Sequence, residues 1–324
     1  MDQNILWLFF LAVAAGIFGL VYGADRFVSG AGALAYNLKI SPLIIGLTVV
    51  SMGTSFPELL VTVTASLTGH PDMAVGNVLG SNISNIGLIL GITALVRPIK
   101  IHSGFLRREF PILVFITLVA YLMALTGSIS RIDGVLLTGG LVLFLLWTAN
   151  TARREAKACC VAIDETTLQV PSLSLRSSIL QLAIGLLLLL LGSRLLIWGG
   201  VGFARIFGID ELVIGLTLVA IGTSLPELAT TLAGALKKED DIAVGNVIGS
   251  NIFNTLGILG IPAIIQPLPT AAGVLYRDFP VMLLATISLW PICFSFKRRQ
   301  GRINRYEGTA LLSGYLIYIS ILFM

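Results

Sequence analysis

Apolar residues run through this chain in blocks of roughly 20, the length needed to cross a hydrocarbon core of ~30 Å. Short segments rich in Gly, Pro, Asn and charge separate them. The blocks predict ten membrane-spanning helices, at 5–34, 41–67, 73–96, 106–125 and 133–151, then at 177–206, 211–236, 242–265, 275–295 and 305–323. The first begins close to the start, and Met1–Asn4 carries an acid where a signal peptide would carry basic residues. No small-residue cleavage site follows, so a retained span is expected. One long polar segment, 152–176, holds Arg153, Arg154, Glu155, Lys157, Asp164, Glu165 and Pro171. It is too short to fold alone. The expected organisation is a five-helix unit at 1–151, a cytoplasmic linker at 152–176 and a second five-helix unit at 177–324.

The two units are copies of each other. Leu43-Ile-Ile-Gly-Leu-Thr-Val-Val-Ser-Met-Gly-Thr-Ser-Phe-Pro-Glu-Leu59 returns as Leu212-Val-Ile-Gly-Leu-Thr-Leu-Val-Ala-Ile-Gly-Thr-Ser-Leu-Pro-Glu-Leu228. Ala74-Val-Gly-Asn-Val-Leu-Gly-Ser-Asn-Ile-Ser-Asn85 returns as Ala243-Val-Gly-Asn-Val-Ile-Gly-Ser-Asn-Ile-Phe-Asn254. The register holds without a gap from 41 to 111, where Arg108-Glu-Phe-Pro111 matches Arg277-Asp-Phe-Pro280. Five spans is an odd number, so the second copy enters the membrane from the opposite side. Such inverted repeats place a substrate site near the midplane, where interrupted helices from both halves meet. The expected fold is thus an all-α integral membrane protein of ten transmembrane helices, in two inverted five-helix repeats with helices broken at the midplane.

Composition agrees with burial in lipid. Of 324 residues 56% are hydrophobic and 12% charged, against about 25% charged in soluble domains, and the mean hydropathy is +0.94. With the N-terminus outside, sixteen Lys and Arg fall in inside loops and three (Arg131, Arg205 and Arg277) in outside loops. That asymmetry predicts both termini outside, in a plasma or inner membrane. It also accounts for the net charge of +4 without a nucleic-acid partner. Cys159, Cys160 and Cys293 form no disulfide or metal-binding pattern.

Glu58 and Glu227 stand inside apolar spans, where a carboxylate costs about 2.5–3.5 kcal/mol on insertion scales and marks a functional site. The alternative, pairing with a buried Arg or Lys, lacks a basic residue at matching depth. In Gly53-Thr-Ser-Phe-Pro-Glu58 and Gly222-Thr-Ser-Leu-Pro-Glu227 the proline removes a helix hydrogen bond and the glycine lets the chain bend. Unwinding there would free carbonyls, tolerated at depth only where they line a cavity or are buried in protein. Carboxylates, hydroxyls and carbonyls together suit hard cations such as Ca²⁺ and Na⁺. Asn77, Ser81 and Asn85 recur at i, i+4 and i+8 as one polar stripe, repeated by Asn246, Ser250 and Asn254. Asn82 and Asn251 lie off the stripe and read as capping or packing residues. Gly76, Gly80, Gly245 and Gly249 read as helix-packing positions.

Both motifs, present twice, resemble the alpha repeats of the sodium/calcium exchanger family, in its compact prokaryotic form. The resemblance covers nearly the whole chain. It implies Ca²⁺ held by Glu58 and Glu227 with the carbonyls of Thr54 and Thr223, and Asn85 and Asn254 completing the cluster. It implies flanking Na⁺ sites built from Ser51, Thr54, Ser55 and Ser81 on one side, and Ala220, Thr223, Ser224 and Ser250 on the other. Exchange would proceed by sliding of the long helices 5–34 and 177–206. Some family members carry Asp where this chain has Asn85 or Asn254, so this site has two carboxylates. Na⁺, H⁺ and K⁺ therefore stay open as coupling ions.

The expected activity is Na⁺/Ca²⁺ antiport without a cofactor. H⁺/Ca²⁺ or other cation/H⁺ antiport is the nearest alternative, and a passive cation channel a more distant one. No nucleophile–base pair, phosphate loop or zinc spacing points to an enzyme. Asp25, Arg26 and Arg194 read as pairing or snorkelling residues, Glu109 and Asp278 as interfacial anchors, His70 as solvated, and Lys237–Asp241 as a charged cytoplasmic turn.

Overall fold

The apolar blocks fold as helices. A computed structural model describes residues 3–101, 103–159, 173–208, 220–293 and 301–322. In chain order the helices are α1 (Gln3–Leu38), α2 (Pro42–Thr54), α3 (Phe56–Leu67), α4 (Pro71–Val96), α5 (Ser103–Ala124) and α6 (Arg131–Cys159). They continue as α7 (Leu175–Ile206), α8 (Ala220–Thr223), α9 (Leu225–Leu236), α10 (Asp240–Ile265), α11 (Phe279–Cys293) and α12 (Arg305–Leu322). Residues 211–219 of the seventh expected span lie outside the described residues. By length and composition, five of these helices (α1, α4, α6, α7 and α10) can cross a membrane, or six if α2 and α3, bent by 46°, form one span.

Burial sorts the long helices into two layers. The apolar windows of α4 and α10 are 78% and 83% buried, whereas those of α1, α6 and α7 are 28% buried. Trp7, Phe18, Leu143 and Leu187 leave large apolar surfaces exposed on the outer helices, as a lipid-facing layer requires. α4 and α10 form the centre.

The outer pair α1 and α7 lie antiparallel along a glycine seam. A Cβ added at Gly23 would sit 2.8 Å from the Leu189 amide nitrogen, and one at Gly192 2.8 Å from that of Leu20. Only glycine permits so close a backbone approach. With 36 and 32 residues, the two helices run about 54 and 48 Å at 1.5 Å per residue, so they must tilt to stay within the bilayer. Lys237, at the end of α9, reaches α1 by an ion pair to Asp25 (2.6 Å) and a hydrogen bond to Ser29 (2.8 Å).

Three details refine the expectations. The chain is not purely helical: β1 (Ile99–Ile101) pairs antiparallel with β4 (Gly301–Ile303), and β2 (Ser128–Ile129) with β3 (Leu268–Pro269). Backbone groups just past helix ends need partners, and short ladders supply them. The linker begins as helix, since α6 runs on to Cys159 through Ala-Arg-Arg-Glu-Ala-Lys-Ala, good helix formers; residues 160–172 lie outside the described residues. Finally, within the charged 237–241 turn Asp240 is buried and bound to Arg97 at 2.7 Å.

Candidate cation site

The two Gly-Thr-Ser-x-Pro-Glu motifs break their helices at one residue each. Ser55 (φ −82°, ψ 7°) separates α2 from α3, and Ser224 (φ −89°, ψ 7°) separates α8 from α9. The break is a sharp bend and not a long unwound stretch. Backbone bonds still cross the first one, from Ser55 N–H to the Ser51 carbonyl (3.0 Å) and from Leu59 N–H to that of Ser55 (3.2 Å). Pro57 and Pro226 have no N–H, so the carbonyls of Gly53 and Gly222 lose their helix donor. The Ser193 hydroxyl of α7 donates to the Gly222 carbonyl at 2.8 Å. Glu58 and Glu227 follow in the first turns of α3 and α9, each 1% exposed.

Bonds at the centre cross between the halves in reciprocal pairs. Ser55 donates to Glu227 Oε1 at 2.9 Å, and Ser224 to Glu58 Oε1 at 3.4 Å. Asn85 Nδ2 donates to Asn251 Oδ1 at 2.9 Å, and Asn254 Nδ2 to Asn82 Oδ1 at 3.0 Å. Asn77 and Asn246 brace the glutamate helices, donating to Thr62 and Thr231 at 2.9 Å each. Asn85 and Asn254 each open a π-helical stretch, Asn85–Leu90 and Asn254–Ile258, a distortion frequent at functional sites. α3 packs on the second stretch and α9 on the first, which brings each glutamate helix to the asparagine of the other half.

What this network leaves over are acceptors. Oε2 of Glu58, Oε2 of Glu227, Oδ1 of Asn85 and Oδ1 of Asn254 are buried and have no hydrogen-bond partner among the described residues. An unpaired buried polar atom costs about 1–3 kcal/mol, more when charged. No Lys or Arg pairs with either glutamate among the described residues, which removes the buried ion-pair alternative. Nor do three or more His, Cys, Asp or Glu gather there among the described residues. Two carboxylates with neutral oxygens suit a hard cation.

Comparison with known proteins matches this arrangement to a family. The sodium/calcium exchanger protein profile covers residues 8–149 and 177–324. The chain belongs to the sodium/calcium exchanger family. CaxA of Alkalimonas amylolytica is 46% identical over 311 residues, 96% of this chain and 97% of its own. The inner membrane protein YrbG of Escherichia coli is 44% identical over 318 residues, 97% of each chain. A structure of the sodium-calcium exchanger NCX_Mj, soaked with Na⁺ and Ca²⁺, superposes with a TM-score of 0.83 at 32% identity, covering 98% of this chain and 99% of that one. This exchanger-family chain is therefore an integral membrane protein of a transporter family, mostly helical, with the architecture of NCX_Mj.

The candidate site draws together most of the residues singled out from the sequence. Ser51, Thr54, Ser55, Ser81, Thr223, Ser224 and Ser250 are buried around the two breaks. Thr54 Oγ1 lies 3.0 Å from Asn246 Oδ1. Ala220 opens α8, and its side chain lies outside the described residues. Gly245 and Gly249 do pack closely, an added Cβ meeting the Leu43 carbonyl at 2.8 Å and that of Leu47 at 2.6 Å. At Gly76 and Gly80 an added Cβ meets nothing within 4 Å among the described residues. Asn82 and Asn251 are more than packing residues: they hold the amides of Asn254 and Asn85 so that the carbonyl oxygens stay unpaired. Their recurrence at the repeat offset was the available signal. Ser193 had none, since Ala24 occupies the matching position in the first half.

Of the remaining charged residues, Asp278 is buried, binding Arg277 at 2.7 Å and the Tyr318 hydroxyl at 3.2 Å. Glu109 is buried with Oε2 unpaired among the described residues. Arg26 stacks over Tyr22 at 4.9 Å. His70 is exposed and 3.4 Å from the Thr68 hydroxyl.

Proposed function

We propose that this chain is a secondary active antiporter exchanging Na⁺ for Ca²⁺ by alternating access, with both ions as substrates. The observation that carries the reading is the set of four buried, unpaired acceptor oxygens on Glu58, Glu227, Asn85 and Asn254. Two of the four are carboxylate oxygens, whose two charges balance one Ca²⁺. The Thr54 and Thr223 carbonyls complete the central site. Na⁺ takes flanking positions built from Ser51, Thr54, Ser55 and Ser81, and from Ala220, Thr223, Ser224 and Ser250.

The architecture behind it is ten spans in inverted units 1–151 and 177–324, joined by a cytoplasmic linker at 152–176, with both termini outside. Pairing between the halves supports that layout. β1–β4 and Arg97–Asp240 join segments assigned to the inside, and β2–β3 joins segments assigned to the outside.

The test is uptake into proteoliposomes. An outward Na⁺ gradient drives ⁴⁵Ca²⁺ accumulation, and Glu58→Gln or Glu227→Gln reduces it to background. Correctly inserted protein that ignores Na⁺ and responds to a pH gradient is a proton antiporter. One that passes channel-sized single-molecule currents is not an antiporter.

A further inference from the structure

Beside the broken helix at Ser224 lies a cavity of about 800 Å³ whose lining reaches Thr223 but includes none of the four acceptor residues. One wall is a single face of α7, bearing Leu190, Arg194, Ile197, Trp198, Val201 and Arg205, spaced to fall on one stripe of the helix. Phe56, Pro57, Leu60 and Val61 of α3 form the facing wall, Phe9 of α1 closes one end, and Thr223 lies at the floor. The walls are apolar. The charged residues are both arginines, with no carboxylate among the described lining residues.

Arg194 is the anomaly. It stands 12 residues before the end of α7, about 18 Å along the axis, between Ser193 and Leu195. It is exposed and makes no hydrogen bond or ion pair among the described residues. A guanidinium in a span is costly unless it meets an anion or reaches the interface. Trp198, one turn further on, is 48% exposed and packs edge-on against Phe9 at 4.9 Å; tryptophans settle at headgroup level. The long Arg194 side chain reaches that level from below.

We infer that this cavity is a binding site for a membrane lipid with an anionic headgroup. The phosphate pairs with Arg194 beside Trp198, and an acyl chain fills the apolar space between α7 and α3. The inference requires a membrane-embedded chain and is independent of which ions are carried. Because the site lies between α7 and the start of α3, its occupancy couples lipid composition to movement of α7.

Trp198 gives a local readout. The full-length chain with Trp7, Trp147 and Trp290 replaced by Phe is reconstituted in phosphatidylcholine vesicles. These carry a few per cent of either brominated phosphatidylglycerol or brominated phosphatidylcholine. Trp198 fluorescence is expected to be quenched by the anionic lipid with about fivefold preference, the gain of one cationic contact. Arg194→Gln abolishes the preference and Arg194→Lys keeps most of it. Inorganic phosphate in solution does not relieve quenching, which separates a lipid from a free anion. Equal quenching by both lipids, or a preference that survives Arg194→Gln, overturns the proposal and leaves Arg194 as a snorkelling residue. The reading needs no transport activity, so it stands or falls apart from the exchange assay.

Discussion

Asn82 and Asn251 hold the amide groups of Asn254 and Asn85, across the boundary between the halves, at 3.0 and 2.9 Å. Removing either brace frees an amide to rotate, so that its Nδ2 group competes with Oδ1 for the centre. Residues that orient ligands typically change affinity ten- to a hundredfold. Asn82→Ala and Asn251→Ala should therefore weaken ⁴⁵Ca²⁺ binding by roughly that factor, measured at equilibrium on protein of unchanged melting behaviour. An unchanged Kd would remove them from the site. These braces were hard to foresee because the polar stripe at i, i+4 and i+8 within one helix excludes them. Their role depends on the partner helix. Glu58 and Glu227 were legible because a carboxylate in an apolar span has few explanations, and the repeat supplied it twice. A second residue-scale prediction concerns Glu239, at the start of α10. Burial raises its pKa, with Asp241 and Asp240 adding to the effect and Lys237 opposing it. A carboxyl that holds its proton longer in the folded state costs stability once it ionises. Stability should fall as pH rises from the ordinary carboxylate range through the raised value, and Glu239→Gln should flatten that part of the profile in thermal unfolding.

At the scale of elements, the glycine seam between α1 and α7 sets what the two long helices can do. Backbone meets backbone at Gly23 and Gly192, where neither helix places a side chain of its own between the two. Gly192→Leu inserts a side chain where even a Cβ would lie 2.8 Å from the Leu20 nitrogen. Overpacking of this kind costs about 1–3 kcal/mol. It should leave equilibrium Ca²⁺ binding near normal while exchange falls to background. Loss of both in parallel would mean that the seam only holds the fold. Helix breaks were readable at this scale, because Gly and Pro leave a local signature at Ser55 and Ser224. The Ser193 bond to the Gly222 carbonyl was not, since it joins α7 to α8 and lacks a counterpart in the first half. The short ladders were equally hidden, as two or three residues carry no periodicity.

For the whole molecule, the reciprocal bonds carry an argument about orientation. Segments joined by hydrogen bonds must lie on the same side of the bilayer. β1–β4 and Arg97–Asp240 tie 97–101 to 240 and 301–303; β2–β3 ties 128–129 to 268–269. Counting ten spans from an outside N-terminus gives every one of these pairs a common side, and moves the basic loops inside. Losing any one of the fourth to ninth spans, those between 101 and 301, would put partners on opposite faces. The ten-span count rests on the repeat, and the side chosen rests on charge alone. The expected outcome is specific. In a background with Cys159, Cys160 and Cys293 replaced by Ser, Thr126→Cys is labelled in intact cells by a membrane-impermeant maleimide. Lys238→Cys is labelled only after the membrane is opened. Labelling of both from outside would break the inverted arrangement, and the reverse pattern would keep the fold while turning it over. In either case the four acceptors remain where they are, since their geometry does not depend on which face of the bilayer is outside.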